Sequence, residues 1–346
     1  MPIHRGIVAA SITELPTVTI NAVTNFNQDR ATFNATVNPN LQTTSVKFQF
    51  KKTVDSTWTD GSTITGLTGG SQSVYSNQTG LPTAGVSYDV RAVVTNGIGQ
   101  VTSSSTSFTT WGVKEYKPGV AGYGSNATIQ SITPTGGSAI APTIYNVFLI
   151  GGGGGGGTIG GGAGGGGYSI SSSRTLSASN SNTLTISIGG GGSAGGTGNG
   201  GNGGTSSISH ATFSMAATGG VGCVGGLEVS GSNSGSGVNG VNGGGSGASA
   251  SWVVGKTNYF AFANGGGGGA GGGGGNAVAN QSQGGIGGNG GAGVSAYGYA
   301  GGAGGGGRGD NAQGSRGANN TYGSGGNGHD NSAGGAGLMY FYYYGP

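Results

Sequence analysis

The feature that most constrains the fold is a short apolar stretch, residues 145–150, that runs directly into seven consecutive glycines at residues 151–157. Similar tracts recur toward the end of the chain, and 78 of the 89 glycines lie after residue 120. Glycine loses more backbone entropy on ordering than any other residue. An ordered glycine tract therefore needs close packing and hydrogen bonding that side chains would prevent. The glycine-rich part is predicted to be the working part of the protein.

The composition favours an ordered chain over a disordered one. Only 6% of the residues are charged, whereas 8% are aromatic. Disordered chains are usually rich in charge and poor in aromatic residues. The length of 346 residues suits two or three domains. The net charge of +3 comes from scattered residues, so no nucleic-acid-binding face is predicted.

Cysteine usage and apolar runs exclude several classes of protein. Cys223 is the single cysteine, which excludes a disulfide framework and a cysteine zinc cluster. The first residues carry no long apolar stretch of the kind that a signal peptide needs. No apolar run approaches the length of a membrane span, so membrane insertion is not expected.

Residues 17–111 show the pattern of an antiparallel β-sandwich. Apolar residues alternate with polar ones, as in Ala31, Phe33, Ala35 and Val37, and glycine-containing or asparagine-containing turns separate these stretches. The predicted organisation has four parts. They are an N-terminal anchoring arm at 1–16, the sandwich at 17–111, a linker at 112–120 and a glycine-rich domain at 121–346.

Residues 80–99 resemble the second half of a fibronectin type III domain. They contain a Leu-Pro turn, an alternating strand that begins near Tyr88, and an Asn-Gly hairpin. The resemblance implies that Tyr88, Val90, Ala92 and Val94 face the core. It also implies that Leu81 and Gly85 build a corner held by Tyr88. The early tryptophan of the family is missing, and Phe33 is the residue expected in its place. Domains of this family serve as spacers or binding modules.

The glycine tracts have two physical interpretations. Helices with three residues per turn point backbone N–H and C=O groups outward, and without Cβ atoms such helices can pack and bond laterally. This interpretation predicts rigid polyglycine-II-like helices between short strands. The alternative is a disordered tract. Collagen is excluded because the chain has only 8 prolines and no sustained Gly-X-Y repeat.

The order of pieces after residue 144 resembles the glycine-rich domain of bacteriophage tail-fibre and other virion proteins. The pattern comprises an apolar strand into polyglycine at 145–157, a Gly-Gly-Tyr strand at 166–170, a strand ending in glycines at 184–192, Gly-Gly-Thr-Ser-Ser at 203–207 and a last strand at 334–340. The resemblance implies a virion component, often a fibre or an adhesin whose loops touch the host. Residues 221–263 depart from it.

The hypothesis is an all-β, non-enzymatic bacteriophage virion protein that acts as a tail fibre or receptor-binding adhesin. Its expected partners are other virion subunits and a host cell-surface glycan or protein, and a homo-oligomer such as a trimer is expected. Virion proteins leave the host by lysis and need no export signal. Two alternatives stay open: a structural fibre or decoration subunit without receptor binding, and a secreted glycine-rich matrix or ice-binding protein.

Aromatic residues in small-residue surroundings are the candidate receptor contacts. Tyrosine and tryptophan give rigid contact area and stack on sugar or protein surfaces. The alternative is that these rings fill gaps between glycine segments. The candidates are Trp252, Tyr259, Phe260, Phe262, Tyr297, Tyr299 and Tyr322.

Several short motifs match by chance in so glycine-rich a chain. A loose phosphate-loop match at 250–257 and a dinucleotide-binding match at 151–157 lack the helix that each needs. Residues 325–331 begin like a calcium-binding nonapeptide repeat, but the repeat occurs once where stacking needs several copies, and Arg308-Gly309-Asp310 spells an integrin tripeptide that such a chain makes by chance. Few ionisable groups follow residue 120, so acid–base chemistry has few candidates. Neither an enzyme nor a cofactor is predicted.

Overall fold

The computed structural model describes residues 14–118, 124–135, 137–158, 161–179, 182–225, 237–238, 251–254, 260–263, 274, 276, 278–280, 284–286, 288–308, 312–318, 321–328 and 330–346. For the strands at 237–238, 251–254, 260–263, 278–280 and 284–286 only the backbone is described. Every regular element in this part of the chain is a β-strand, and the sheets are built from antiparallel pairs. The prediction of an all-β protein is confirmed. The chain divides into two compact units.

The first unit comprises Met1–Lys114, Ser131–Ala141 and Tyr344–Pro346. One of its sheets has the order β1-β2-β5, and the other has the order β4-β3-β6-β7, with β8 also pairing with β6. The strands are β1 Thr17–Ile20, β2 Arg30–Asn38, β3 Thr44–Lys52, β4 Thr59–Leu67, β5 Gln72–Thr79, β6 Ser87–Thr95, β7 Gln100–Thr102 and β8 Thr106–Thr109.

The two sheets enclose one hydrophobic core. Alternate residues of β2, β3 and β6 are fully buried, as period-two strands require when one face packs inward. Phe33 lies at the centre, with its ring 6.0 Å from Phe48, 5.9 Å from Phe50 and 6.2 Å from Phe108. The four β6 residues predicted to face the core are buried, which confirms that expectation: Tyr88, Val90, Ala92 and Val94.

The Tyr88 side chain forms hydrogen bonds with the loop that precedes β6. Its hydroxyl accepts a hydrogen bond from the Thr83 amide at 3.1 Å and donates to the Thr83 carbonyl at 3.4 Å. Leu81 is buried beside this loop, and Gly85 has a φ of 69°. One phenol therefore bonds to both backbone groups of Thr83 while its ring fills the core, and the Thr83 carbonyl accepts a second hydrogen bond from Thr110 Oγ1 at 3.0 Å.

The second unit comprises Glu115–Gln130 and Pro142–Tyr343, so boundaries between the units fall within β9 and within β23. Its larger sheets have the orders β10-β13-β14-β15-β16 and β12-β11-β23-β9, and β17-β18, β19-β20 and β21-β22 form two-stranded sheets. The strands are β9 Gly112–Tyr116, β10 Ala127–Ile129, β11 Thr143–Ile150, β12 Tyr168–Thr175, β13 Asn182–Ser187, β14 Ser206–His210, β15 Phe213–Ala217, β16 Gly237–Val238, β17 Ser251–Val254, β18 Phe260–Ala263, β19 Val278–Asn280, β20 Gly284–Ile286, β21 Val294–Ala296, β22 Tyr299–Gly301 and β23 Leu338–Gly345.

Two apolar clusters lie on β11 and β23 of this unit. The larger one joins Val147, Leu149 and Phe341 to buried residues of the β10-β13-β14-β15 sheet, such as Ile208. The smaller one contains Phe148, Ile150 and Leu338. Neighbouring residues of β11 belong to different clusters because side chains alternate along a strand. Both faces of β11 are therefore covered by protein.

The seven glycines that follow β11 are buried and bond with a period of three. Successive amides donate to three different segments in turn. Gly151 donates to Gly167 and Gly154 to Gly164. Gly152 donates to Gly204 and Gly155 to Gly201, while Gly153 donates to Gly335 and Gly156 to Ser332. The carbonyls of the tract accept hydrogen bonds from three other segments. Gly152 accepts from Gly220 and Gly155 from Cys223. Gly153 accepts from Gly192 and Gly156 from Gly195, while Gly154 accepts from Gly326. Six chain segments thus surround residues 151–157.

Replacing Tyr88 with phenylalanine tests the role of its hydroxyl. Tyr88→Phe keeps the ring but leaves the Thr83 amide without its partner, whereas the Thr83 carbonyl still accepts from Thr110 Oγ1, so the first unit should lose about 1–2 kcal/mol of stability. Urea unfolding of the full chain followed by tryptophan fluorescence measures this change. Tyr75→Phe, at a side chain that is 47% exposed, is the control and should change stability by less than about 0.5 kcal/mol. Equal effects of the two changes would contradict the assignment.

Adding one methyl group tests how closely the glycine segments approach. A Cβ on Gly155 would overlap the Ser193 carbonyl, whereas a Cβ on Gly190 would meet nothing within 4 Å. Gly155→Ala should therefore cost about 3 kcal/mol or more, because backbone rather than a flexible side chain would have to move. Amide hydrogen exchange of residues 151–157 should accelerate in Gly155→Ala and stay slow in Gly190→Ala. Unchanged protection in both variants would refute the close packing.

Candidate functional site: a tyrosine cluster

The hairpin formed by β21 and β22 places a tyrosine at its tip. The strands pair from Val294 with Gly301 to Ala296 with Tyr299, which leaves Tyr297 and Gly298 as a two-residue turn. Their φ angles are 51° and 83°. Two positive φ angles are typical of a type I′ turn, whose first position favours asparagine, aspartate or glycine. Tyr297 therefore holds a strained conformation for a bulky residue, and it is 37% exposed.

The hairpin brings Tyr297 and Tyr299 to two tyrosines that are distant in sequence. The ring of Tyr340, on β23, lies 5.0 Å from Tyr299 and 6.1 Å from Tyr297. Tyr322 completes the group, with its ring 6.4 Å from that of Tyr299. These separations are typical of interacting aromatic rings. We call Tyr297, Tyr299, Tyr322 and Tyr340 the tyrosine cluster.

A second aromatic pair lies on β11 and β23, the two central strands of the β12-β11-β23-β9 sheet. Tyr145 of β11 stacks on Tyr342 of β23, with ring centroids 5.2 Å apart and planes 18° from parallel. Tyr342 lies two residues after Tyr340, so both side chains belong to the same face of the sheet. Aromatic surface thus continues along β23 beyond the tyrosine cluster.

An ion pair adjoins the cluster through Tyr340. The Tyr340 hydroxyl donates a hydrogen bond to Glu115 Oε1 at 3.2 Å, and the Lys117 ammonium lies 2.6 Å from Glu115 Oε2. The hydrogen bond from Lys117 is the main cause that lowers the pKa of Glu115. Burial, followed by the charge of Glu115, raises the pKa of Tyr340 to about 12. At neutral pH the Tyr340 phenol is therefore neutral and lies beside one paired carboxylate and ammonium.

The cluster rests on the smaller apolar core of the second unit. Tyr299 and Tyr322 pack against the buried side chains of Phe148, Ile150 and Leu338. This backing restrains the rings, so a ligand would meet a largely pre-ordered surface. The arrangement suits stacking and hydrogen bonding with a polar partner. Among the described residues no group of acidic, histidine or cysteine side chains could hold a metal ion.

The structure brings together three of the seven aromatic residues predicted as receptor contacts. Tyr297, Tyr299 and Tyr322 all belong to the tyrosine cluster. Trp252 and Phe262 are register partners in the β17-β18 pair, and Phe260 lies on the same β18 strand. Tyr259 lies outside the described residues.

Three residues at the site were not predicted from the sequence: Tyr340, Glu115 and Lys117. Residues 338–344 were interpreted only as a closing strand, and the Lys117 region only as a linker. The unusual density of tyrosines in β23 was the signal available, because a strand buried on both faces rarely needs so many polar rings.

The short motifs have local explanations where they are described. Arg308 donates from Nη1 to the Thr158 carbonyl at 2.7 Å, while residues 309–310 lie outside the described part. Asp330 accepts hydrogen bonds from the side-chain amide of Asn327 and the backbone amide of Ser332. The strand at Ser251–Val254, within the phosphate-loop match, pairs with β18.

Comparison with known proteins adds no identification. No protein-family model matches the chain, and none of the curated proteins matches its sequence. In the described part of the chain, no helix has the length and apolar character needed to cross a membrane.

The raised pKa of Tyr340 predicts a specific alkaline titration. The folded state holds this proton more tightly than the unfolded chain, so stability should fall as the pH rises from about 10 toward about 12. Tyrosinate absorbance, taken as the difference between the native protein and Tyr340→Phe, isolates this group. Glu115→Gln should lower the pKa of Tyr340 yet leave it above 10.0, because burial is the larger cause. A pKa of 10.0 in the native protein would contradict the described contact.

Proposed function

We propose that the chain is a bacteriophage virion protein that acts as a tail fibre or receptor-binding adhesin, without enzymatic activity. In this proposal the first unit is a fibronectin type III-like sandwich and the second is a body of short strands and polyglycine-II-like helices. The body presents the tyrosine cluster to a glycan or protein on the host cell surface. Other virion subunits are its assembly partners, and a homo-oligomer such as a trimer is its assembled form.

The sheet arrangement of the first unit supports the fibronectin type III-like assignment. A three-stranded sheet and a larger sheet of β3, β4, β6 and β7 enclose one core. The hydrogen bonds between the Tyr88 hydroxyl and the backbone of Thr83, five residues upstream, support this assignment, because a tyrosine corner bonds to the backbone in this way.

The bonding pattern of residues 151–157 supports the polyglycine-II-like assignment. In a helix with three residues per turn, every third amide points in the same direction. Gly151 and Gly154 accordingly donate to one segment, and Gly152 and Gly155 to another. Three donor directions and three acceptor directions match a helix with six neighbours. The neighbouring segments bond to one another as well, as Gly203 does to Gly220.

The observation that carries the adhesin proposal is the position of Tyr297. A tyrosine with a positive φ occupies the tip of a hairpin and stays partly exposed beside three other tyrosines. Strained residues held by a rigid surrounding structure occur preferentially at functional sites. Tyrosine is also the side chain that recognition surfaces favour for rigid, low-entropy contact area.

A structural subunit without receptor binding is the second candidate. It is favoured by the packing of Tyr299 and Tyr322 on the apolar core, since these rings also fill space within the unit. Under this alternative the cluster would contact a neighbouring virion subunit or no partner. The secreted matrix or ice-binding alternative has no described feature that favours it.

Two measurements on phage particles and cells separate these functions. Antibodies against the purified chain should decorate the tail of intact particles in electron micrographs if the protein is a fibre component. The purified chain should bind host cells and reduce phage adsorption in proportion to its concentration. Tail decoration without cell binding would leave the structural role, whereas absence from the particle would refute the virion assignment altogether.

Replacing Tyr297 with asparagine separates binding from folding. Tyr297→Asn creates the Asn-Gly pair that type I′ turns prefer, so thermal stability should stay equal or rise by about 1 kcal/mol. Host-cell binding should nevertheless fall about tenfold or more, because the exposed ring at the tip of the contact surface is lost. Tyr75→Asn, at an exposed tyrosine of the first unit, is the matched control and should leave binding unchanged. Full binding by Tyr297→Asn would exclude the cluster as the receptor contact.

A further inference from the structure

A polar groove lies on the outer face of the β4-β3-β6-β7 sheet, in the first unit. Side chains alternate along these strands, so Val46 and Phe48 enter the core while Lys47 and Gln49 face outward. The groove has a volume of about 380 Å³. Its lining includes two cationic side chains, amides and hydroxyls but no carboxylate, among them Lys47, Gln49, Thr63, Arg91, Gln100 and Thr102.

The guanidinium of Arg91 is held in a defined position within the groove. It lies 4.1 Å from the ring centroid of Trp58, and its Nε donates to Gln49 Oε1 at 2.8 Å. Within the described part of the chain its two terminal nitrogens make no further hydrogen bond that would compete for them. Stacking on an indole and one anchoring hydrogen bond leave the planar end of the side chain ready for a bidentate acceptor.

Lys47 is positioned by a second part of the same network. Its ammonium lies 2.9 Å from Asp60 Oδ2, and the Gln49 side-chain amide donates to Asp60 Oδ1 at 2.7 Å. Gln49 therefore connects the two cations by accepting from Arg91 and donating to Asp60. Asp60 itself does not line the groove. The network keeps both positive groups near a surface whose other lining side chains are uncharged and, apart from Val93, polar.

We infer that this groove binds an acidic saccharide through the carboxylate of a uronic-acid-type sugar. The fork of Arg91 matches a carboxylate in geometry and charge, and Lys47 adds a second positive group. Amide and hydroxyl side chains such as Gln100 and Thr63 suit the hydroxyl groups of a sugar ring. The volume accommodates a small ligand of one or two sugar residues. Two cations are too few for the many phosphate contacts that nucleic-acid binding requires.

The inference concerns the first unit and does not depend on the tyrosine cluster of the second. Affinity electrophoresis of the full chain through gels that contain polygalacturonate tests it directly. Fully methyl-esterified polygalacturonate has the same sugar backbone without the charge, and serves as the matched neutral polymer. The acidic polymer should retard the protein and the neutral one should not. The retardation should weaken as salt is added, because the contact is partly electrostatic and exposed.

Three substitutions at the groove and one control outside it test where the acidic polymer binds. Arg91→Gln should weaken retardation at least tenfold. The retardation of Arg91→Lys should lie between that of Arg91→Gln and that of the native protein, because lysine keeps the charge but lacks the planar guanidinium. Asp60→Asn should instead strengthen binding about two- to fivefold, since it removes the carboxylate that neutralises Lys47. Lys114→Gln is the control. It removes one positive charge, as Arg91→Gln does, but at an exposed residue of this unit that does not line the groove, so binding should be unchanged.

Several results would overturn the inference. They are no retardation by polygalacturonate, equal retardation by both polymers, equal loss in Lys114→Gln and Arg91→Gln, or stronger retardation by single-stranded DNA than by the acidic polymer. Thermal melting of every variant checks that the first unit is folded. If Arg91→Gln fails to melt cooperatively, the opposite effect expected for Asp60→Asn decides the question, because simple loss of structure cannot increase binding.

Discussion

The second unit depends on the close approach of backbone to backbone around residues 151–157. A carbonyl of a neighbouring segment occupies the place where almost every Cβ of this tract would stand, as at Gly152, Gly153 and Gly155. The missing side chains allow direct amide–carbonyl bonds in several directions, and these bonds satisfy the buried backbone groups. The tract therefore forms a core without side chains, in which hydrogen bonds replace most of the apolar contacts of an ordinary core.

The tyrosine cluster obtains its position from the edge of this array. The Tyr322 amide donates to the Ala300 carbonyl, and the Tyr322 carbonyl accepts from Gly302, so the ring is carried on a segment fixed from both sides. The next residue, Gly323, donates to Ala336 and accepts from Gly166. Apolar support comes from Ile150, the last residue of β11 before the glycines. The same strand thus begins the glycine tract and supports the aromatic surface.

The alternation of apolar and polar residues predicted the core of the first unit well, because apolar side chains such as those of Tyr88 and Val90 show which face of a strand packs inward. The glycine tracts were predicted as packed segments, but their pairing was not predictable: a residue without a side chain carries no information about register. The contact of Tyr340 with Glu115, 225 residues apart in sequence, could not be inferred because it depends on the pairing of β23 with β9 across the intervening glycine tracts. Tyr297 and Tyr299 were identified from their small-residue surroundings alone, whereas the turn that contains Tyr297 depends on the pairing of β21 with β22, which no alternation in the sequence marks.

The energetic balance at Tyr297 gives a reason to look beyond folding for the role of its ring. Placing a bulky residue at a positive φ costs about 1–2 kcal/mol relative to asparagine or glycine. The ring contact with Tyr340 stabilises the hairpin by about 0.5–1.5 kcal/mol, which is no more than the cost of the strained backbone. Asparagine would satisfy the turn without this strain, so the stability of the hairpin does not by itself explain a tyrosine there. A contact made by the exposed side of the ring would explain it, and under the proposed function the host surface makes that contact.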